Sequence, residues 1–170
     1  TVVVCGRSGS GKTTLANALL LEKLRLGSPS QRIVILQERL EFGWHGGNVV
    51  SLRTSESTDL ARLVQASLRL RADTIIIGEV RGREVLEVLK AWNSGYLGGI
   101  TTIEATDAGA ALARLDQLAQ EAGVQPQPQL VANAVNFLVA MQRTSRGQVV
   151  REVVSVEGYD RQNGYRLREI

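Results

Sequence analysis

Residues 6–13 read GRSGSGKT and satisfy the spacing G-x-x-x-x-G-K-[ST] in full. The motif sits between an apolar, β-branched segment, Thr1–Cys5, that reads as a short buried strand, and a helix expected from about Lys12 to Arg25. Leu15, Ala18, Leu19, Leu21 and Leu24 recur along that helix at helical spacing. Glycines allow the backbone to curl and aim successive N–H groups at phosphate oxygens, and the helix start adds its positive dipole end. Gly6, Arg7, Ser8, Gly9, Ser10, Gly11, Lys12, Thr13 and Thr14 are therefore expected to hold the phosphates of ATP or GTP. Lys12 is expected on the β- and γ-phosphates, and the Thr13 hydroxyl on Mg²⁺.

The remaining pattern alternates. Arg32–Gln37 and Thr74–Gly78 read as buried strands, the second as a central one, and Val49–Leu52 and Ile100–Ala105 as further strands. Helices are expected from a cap at Thr58 or Asp59 to about Leu70, over Glu84–Trp92, and from a cap at Asp107 to about Ala122. Leu112, Leu115, Ala119 and Ala122 form one face of the last. Such alternation predicts an α/β fold, a mostly parallel sheet flanked by helices. After the VQPQPQ loop and a helix around Leu130–Asn136, three segments follow: Phe137–Arg143, Gln148–Val156 and Tyr165–Ile170. They are joined by SRG and RQNG turns, short enough to predict an antiparallel strand extension of the same sheet. Residues 1–170 are read as a single P-loop domain, and an opening without Met inside a strand suggests a piece of a longer protein.

Composition narrows the function classes. No apolar run approaches the roughly 20 residues of a membrane span, and no secretory signal is visible. The single cysteine, Cys5, rules out an internal disulfide and a CxxC zinc site, fits a reducing compartment, and reads as a core residue. Aromatics at 4% offer little for a base-stacking platform, so direct nucleic-acid binding is not expected. A formal charge of +3 suits ATP, an acidic partner or a lipid surface alike.

Phosphoryl transfer to water needs a carboxylate near Mg²⁺ and another group to orient or deprotonate the water. In a parallel sheet these belong at the C-terminal strand ends. Two strand ends supply them: RIVILQ leads to Glu38 and Glu41, and TIIIG leads to Glu79. Arg69, Arg71, Arg81 and Arg83 are candidates to neutralise phosphate charge.

With these segments in place, the chain resembles the type II/IV secretion ATPase superfamily across nearly its whole length. GRSGSGKTT resembles its Walker A motif, ILQERLE its Asp box, RLRADTIIIGEVRG its Walker B segment, and KAWNSGYLGGITTIEATDA occupies the place of its His box. The AWNSG and GGI spellings and the ARLDQL helix are most similar to the TrbB group of conjugal-transfer ATPases. The resemblance implies a RecA-like C-terminal domain, with the family's N-terminal domain absent from this chain. It implies ATP and Mg²⁺ as ligands, with Glu41 as catalytic carboxylate and Glu79 beside Mg²⁺ with Thr13; Lys12 and Arg81 complete the catalytic set. It further implies a homohexamer in the cytoplasm, peripheral to the bacterial inner membrane. There it would work with other secretion or conjugation proteins and reach the membrane only through them.

The chain departs from the family pattern at four places. Tyr96 and Glu104 stand where histidines are usual, Gln37 where an acidic residue is, and Ala72 where Pro is. The only histidine, His45, matches neither lost position and reads as a surface loop residue. A carboxylate at Glu104 would repel the γ-phosphate unless Mg²⁺ or an arginine compensates. Two readings follow: an ATP-hydrolysing motor domain energising substrate translocation or pilus assembly, or a nucleotide-binding assembly subunit with weak or no hydrolysis. A third, a nucleic-acid-dependent ATPase, is disfavoured by the low aromatic content. A small-molecule kinase lacks a basic lid here, and a type II pilus-type ATPase would be expected to carry a four-cysteine zinc insert.

Overall fold

The computed structural model describes residues 1–43 and 47–170; His45 lies outside the described residues. Eight strands and five helices follow in the order β1 (Val2–Gly6), α1 (Lys12–Leu26), β2 (Ile33–Gln37), β3 (Val49–Arg53), α2 (Leu60–Ser67), β4 (Thr74–Ile77), α3 (Glu84–Asn93) and β5 (Ile100–Glu104). Then come α4 (Ala108–Gln120), α5 (Pro128–Ala134), β6 (Phe137–Thr144), β7 (Gly147–Asp160) and β8 (Gly164–Glu169).

Strand residues divide by parity, as a sheet covered on both faces requires. Val3, Cys5, Val34, Leu36, Ile75 and Ile77 enter a large core with α2 to α5. Val4, Ile33, Ile35 and Ile76 enter a smaller one with Ala16 and Leu20 of α1. Cys5 is fully buried, and burial pushes its thiol pKa up to about 12, which fits a core residue.

The sheet is built as two ladders. One has the order β3-β2-β4, parallel throughout; the other has β5-β1-β6-β7-β8, parallel from β5 to β6 and antiparallel beyond. Just past the end of β4, the parallel bridge Glu79–Thr102 joins it to the middle of β5. Lower down, Trp92 of α3 fills the seam. Its indole Nε1 donates to the Ile75 carbonyl at 3.0 Å, taking the place of a ladder bond. The indole lies so close to Gly99 that a side chain there would strike it.

The structure corrects several expected boundaries. Helix α2 stops at Ser67, not Leu70, and Arg71 turns the chain into β4 with a left-handed φ of 53°. Helix α4 ends at Gln120, leaving Ala122 exposed, and α5 starts at Pro128, which suits the first helical turn because proline lacks an N–H. Strand β7 continues past Val156 to Asp160, absorbing an irregularity at Gly158. The buried stripe of α1 is Lys12, Ala16 and Leu20, while Ala18 and Leu21 face solvent. Asp59 and Asp107 cap α2 and α4 by accepting from Arg62 N and Ala110 N.

Candidate nucleotide-binding site

The loop from Gly6 to Thr14 leaves the C-terminal end of β1 and enters α1 without a side-chain cap, so the first amides of the helix are free to take an outside acceptor. Two glycines are needed for steric reasons. A Cβ on Gly6 would lie 2.6 Å from the Met141 carbonyl oxygen. Gly11 has φ 94°, and a Cβ there would lie 2.6 Å from Gln148 Oε1. Gln148, at the start of β7, also donates from Nε2 to the Gly9 carbonyl at 3.2 Å. The Lys12 side chain is 9% exposed, and its Nζ donates to the Arg7 carbonyl at 3.2 Å, curling back over the loop. The Ser10 hydroxyl is buried without a hydrogen-bond partner.

A cleft of about 380 Å³ opens beside this loop. Its walls bring together Ser8, Gly9, Gly11, Lys12, Thr13, Thr14, Glu41, Glu79, Arg81, Glu104 and Gln148. All four candidate catalytic residues, Lys12, Glu41, Glu79 and Arg81, thus share one cavity with most of the loop, while Arg7 and Ser10 line a neighbouring pocket instead. The cleft straddles the seam of the sheet. The phosphate loop and Glu104 belong to the five-stranded ladder, and the chain leading to Glu41 and Glu79 leaves the three-stranded one.

Glu41 is positioned from both sides. Gln37, fully buried at the end of β2, accepts at Oε1 from Glu41 N at 2.9 Å and from Phe42 N at 3.0 Å. Its Nε2 donates to Ser51 Oγ at 3.1 Å. From α1, Asn17 Nδ2 donates to the carbonyls of Glu41 and Thr13, at 2.8 and 2.9 Å. The Glu41 carboxylate lies over Gly78, where a Cβ would come 3.0 Å from Oε2. That oxygen is buried and has no hydrogen-bond partner among the described residues. Burial first, and then the charge of Glu79, raise the Glu41 pKa from its ordinary value.

Arg81 grips Glu79 through Nε and Nη2, both on Oε2, at 2.9 and 2.5 Å. Glu84 Oε1 accepts from Arg81 N and Gly82 N at 2.7 and 2.9 Å, fixing the turn that presents Arg81.

Other candidates lie outside this cleft of the same chain. Arg83 pairs with Asp59 at 3.1 Å, and Arg69 and Arg71 precede β4, at the end of the sheet away from the loop. Glu38 is exposed and does not line the cleft. Tyr96 also lies at that far end, before β5, with its hydroxyl on the Leu68 carbonyl at 3.3 Å. Of the two altered histidine positions, only Glu104 reaches the cleft. Gln37, Asn17 and Gln148 are the site residues that motif reading missed. The signal for Gln37 was present, an uncharged residue at an acidic motif position.

The residues fit a nucleotide and a magnesium ion. A buried lysine whose partner is one loop carbonyl, an uncapped helix start and two carboxylates on the opposite wall make a site for a polyphosphate with a divalent cation. Fold and site together define a P-loop nucleotide-binding protein of the α/β class.

The Type II/IV secretion system protein family model matches residues 1–159, and the chain belongs to that family. The conjugal transfer protein TrbB of Rhizobium radiobacter is 46% identical over 164 residues, covering 96% of this chain and 50% of that protein. The type IV secretion system protein PtlH of Bordetella pertussis is 32% identical over 169 residues, covering 91% and 49%. Among solved structures, the VirB11 ATPase of the Brucella suis type IV secretion system, crystallised with sulphate, superposes with a TM-score of 0.82 at 26% identity, covering 91% of this chain and 47% of that one. The chain spans about half the length of the curated relatives it matches.

Proposed function

We propose that the chain is the ATP-binding and ATP-hydrolysing motor domain of a conjugal-transfer or type IV secretion ATPase. It would work in a homohexamer beside the other proteins of that machine, at the cytoplasmic face of the inner membrane. The observation that carries this reading is Glu41, whose backbone amide is held by Gln37 and whose partly buried carboxylate lines the same cleft as Lys12. Family membership supports the ATPase class, and the kinship with TrbB and PtlH supports the setting.

Lys12 and the loop amides would hold the β- and γ-phosphates, and Thr13 with Glu79 would hold Mg²⁺. Mg²⁺ supplies charge neutralisation across those phosphates. Glu41 would orient the attacking water and accept its proton as the oxygen bonds to the γ-phosphorus and ADP leaves. A raised pKa suits this role, because a more basic carboxylate accepts a proton more readily at neutral pH. Arg81, anchored beside Glu79, would meet charge developing on the transferred group.

One observation favours a second reading, a nucleotide-gated assembly subunit: Glu104 puts a carboxylate on the cleft wall. Steady-state ATP hydrolysis by the full-length protein, with Lys12→Ala and Glu41→Gln beside it, separates the two. The motor reading expects turnover by wild type, reduced by roughly 100-fold or more in either variant. A wild type that binds ATP and Mg²⁺ but does not turn over would favour the assembly subunit.

A further inference from the structure

Glu104 ends β5 on the cleft wall, exposed, and makes no ion pair among the described residues. Its surroundings are set by strand register. Glu79 and Thr102 are parallel bridge partners, with Val80 N donating to the Thr102 carbonyl at 3.0 Å and Thr102 N to the Gly78 carbonyl at 3.2 Å. Beyond this isolated bridge the chain turns toward α3, and the Arg81 side chain folds back onto Glu79 on the same wall that Glu104 lines. Glu79, Arg81 and Glu104 line the phosphate cleft together, and they share a second depression of about 220 Å³ with Arg114 of α4. The Arg81 side chain, 56% exposed and seated on Glu79, thus lines one depression with a second carboxylate, Glu104, that has no cation of its own among the described residues.

The observed pairing has a cost for metal binding. Both Arg81 contacts fall on Glu79 Oε2, so a metal ion that takes this oxygen must displace a guanidinium already seated there. Resting on the reading of Glu79 as the magnesium-side carboxylate, we propose that Glu104 is the second seat of Arg81. When nucleotide and Mg²⁺ engage Glu79, the guanidinium moves to Glu104. The exchange frees Glu79 for the ion. It also pairs the Glu104 charge that would otherwise repel the γ-phosphate, and it leaves Arg81 facing the phosphates. Glu104 is thus a positioning residue acting through Arg81, with Arg114 adding positive charge on its far side.

The test is the Mg²⁺ dependence of ATP binding by the full-length protein, read with a fluorescent ATP analogue titrated with Mg²⁺. Wild type, Glu104→Gln, Glu104→Asp, Arg81→Ala and the double variant Arg81→Ala/Glu104→Gln are compared. Glu104→Gln is expected to raise the Mg²⁺ concentration for half-maximal binding at least about fivefold, the low end of a coupling between sites. It should not weaken binding without Mg²⁺, and Glu104→Asp should restore part of the shift. In the Arg81→Ala background, Glu104→Gln should no longer raise the Mg²⁺ requirement. An unchanged Mg²⁺ requirement in Glu104→Gln, or an equal shift with and without Arg81, overturns the proposal. The readout is binding, so a wild type that fails to hydrolyse ATP, which would sink the motor reading, does not enter it.

Discussion

Gln37 directs both ends of a fully buried carboxamide at fixed partners, two backbone amides ahead of it in the chain and the Ser51 hydroxyl on β3. An acidic residue could accept from the same amides, but it would bury a charge and could not donate to Ser51 while ionised. Gln37→Ala leaves two amides without their acceptor, which predicts a loss of about 1–3 kcal/mol in urea unfolding. Turnover should fall by roughly 100-fold as Glu41 loses its position, while ATP affinity changes little. Glu41 itself works against stability. Its pKa is raised in the folded state, so between the ordinary value of 4.5 and the raised one the folded chain binds more protons than the unfolded chain. Stability therefore declines as pH rises through that window, and the penalty is complete above it. Glu41→Gln should accordingly raise the melting temperature of the nucleotide-free protein at neutral pH while sharply lowering turnover. In wild type, the acid limb of the turnover-against-pH profile should be shifted upward from the ordinary glutamate value. A melting temperature lowered by Glu41→Gln would contradict the strained-carboxylate account.

At the scale of elements, the seam between β4 and β5 depends on Trp92 of α3. Trp92→Phe keeps most of the apolar bulk but removes the donor to the buried Ile75 carbonyl, so a destabilisation of about 1–3 kcal/mol is expected in urea unfolding. Gly99→Ala should also destabilise, because its Cβ would strike the indole. The elements themselves were legible in sequence where their physics is local. The β-branched runs gave β1, β2 and β4, and Asp59 and Asp107 marked the starts of α2 and α4. Less legible were the features set by distant partners. Apolar spacing overestimated the buried face of α1, since Leu21 repeats at the right interval but has nothing to pack against. The length of β7 depends on its antiparallel neighbour β8, which no local pattern reports. The Trp92 wedge joins residues 17 apart through a carbonyl that carries no side-chain signature.

For the whole molecule, the candidate site lies across the join of two ladders. Motif reading brought Lys12, Thr13, Glu41, Glu79 and Arg81 to one cleft because parallel strands deliver their following loops to a common edge. It did not separate Tyr96 from Glu104, because two positions in one motif sit at opposite ends of β5. The loop proposed to bind phosphates and the carboxylate proposed to activate water are carried by different ladders, tied by the Glu79–Thr102 bridge and by Asn17. Asn17→Ala should weaken that tie, lowering turnover by about 10-fold or more with little change in ATP affinity. The account stands on Glu41 acting on the water while Lys12 holds the phosphates. A single-turnover experiment tests this most directly: excess full-length protein is mixed with radiolabelled ATP and Mg²⁺, and bound ATP and released phosphate are followed together. Wild type should convert the bound ATP, Glu41→Gln should hold it intact, and Lys12→Ala should bind little. Conversion by Glu41→Gln at the wild-type rate would contradict the central claim.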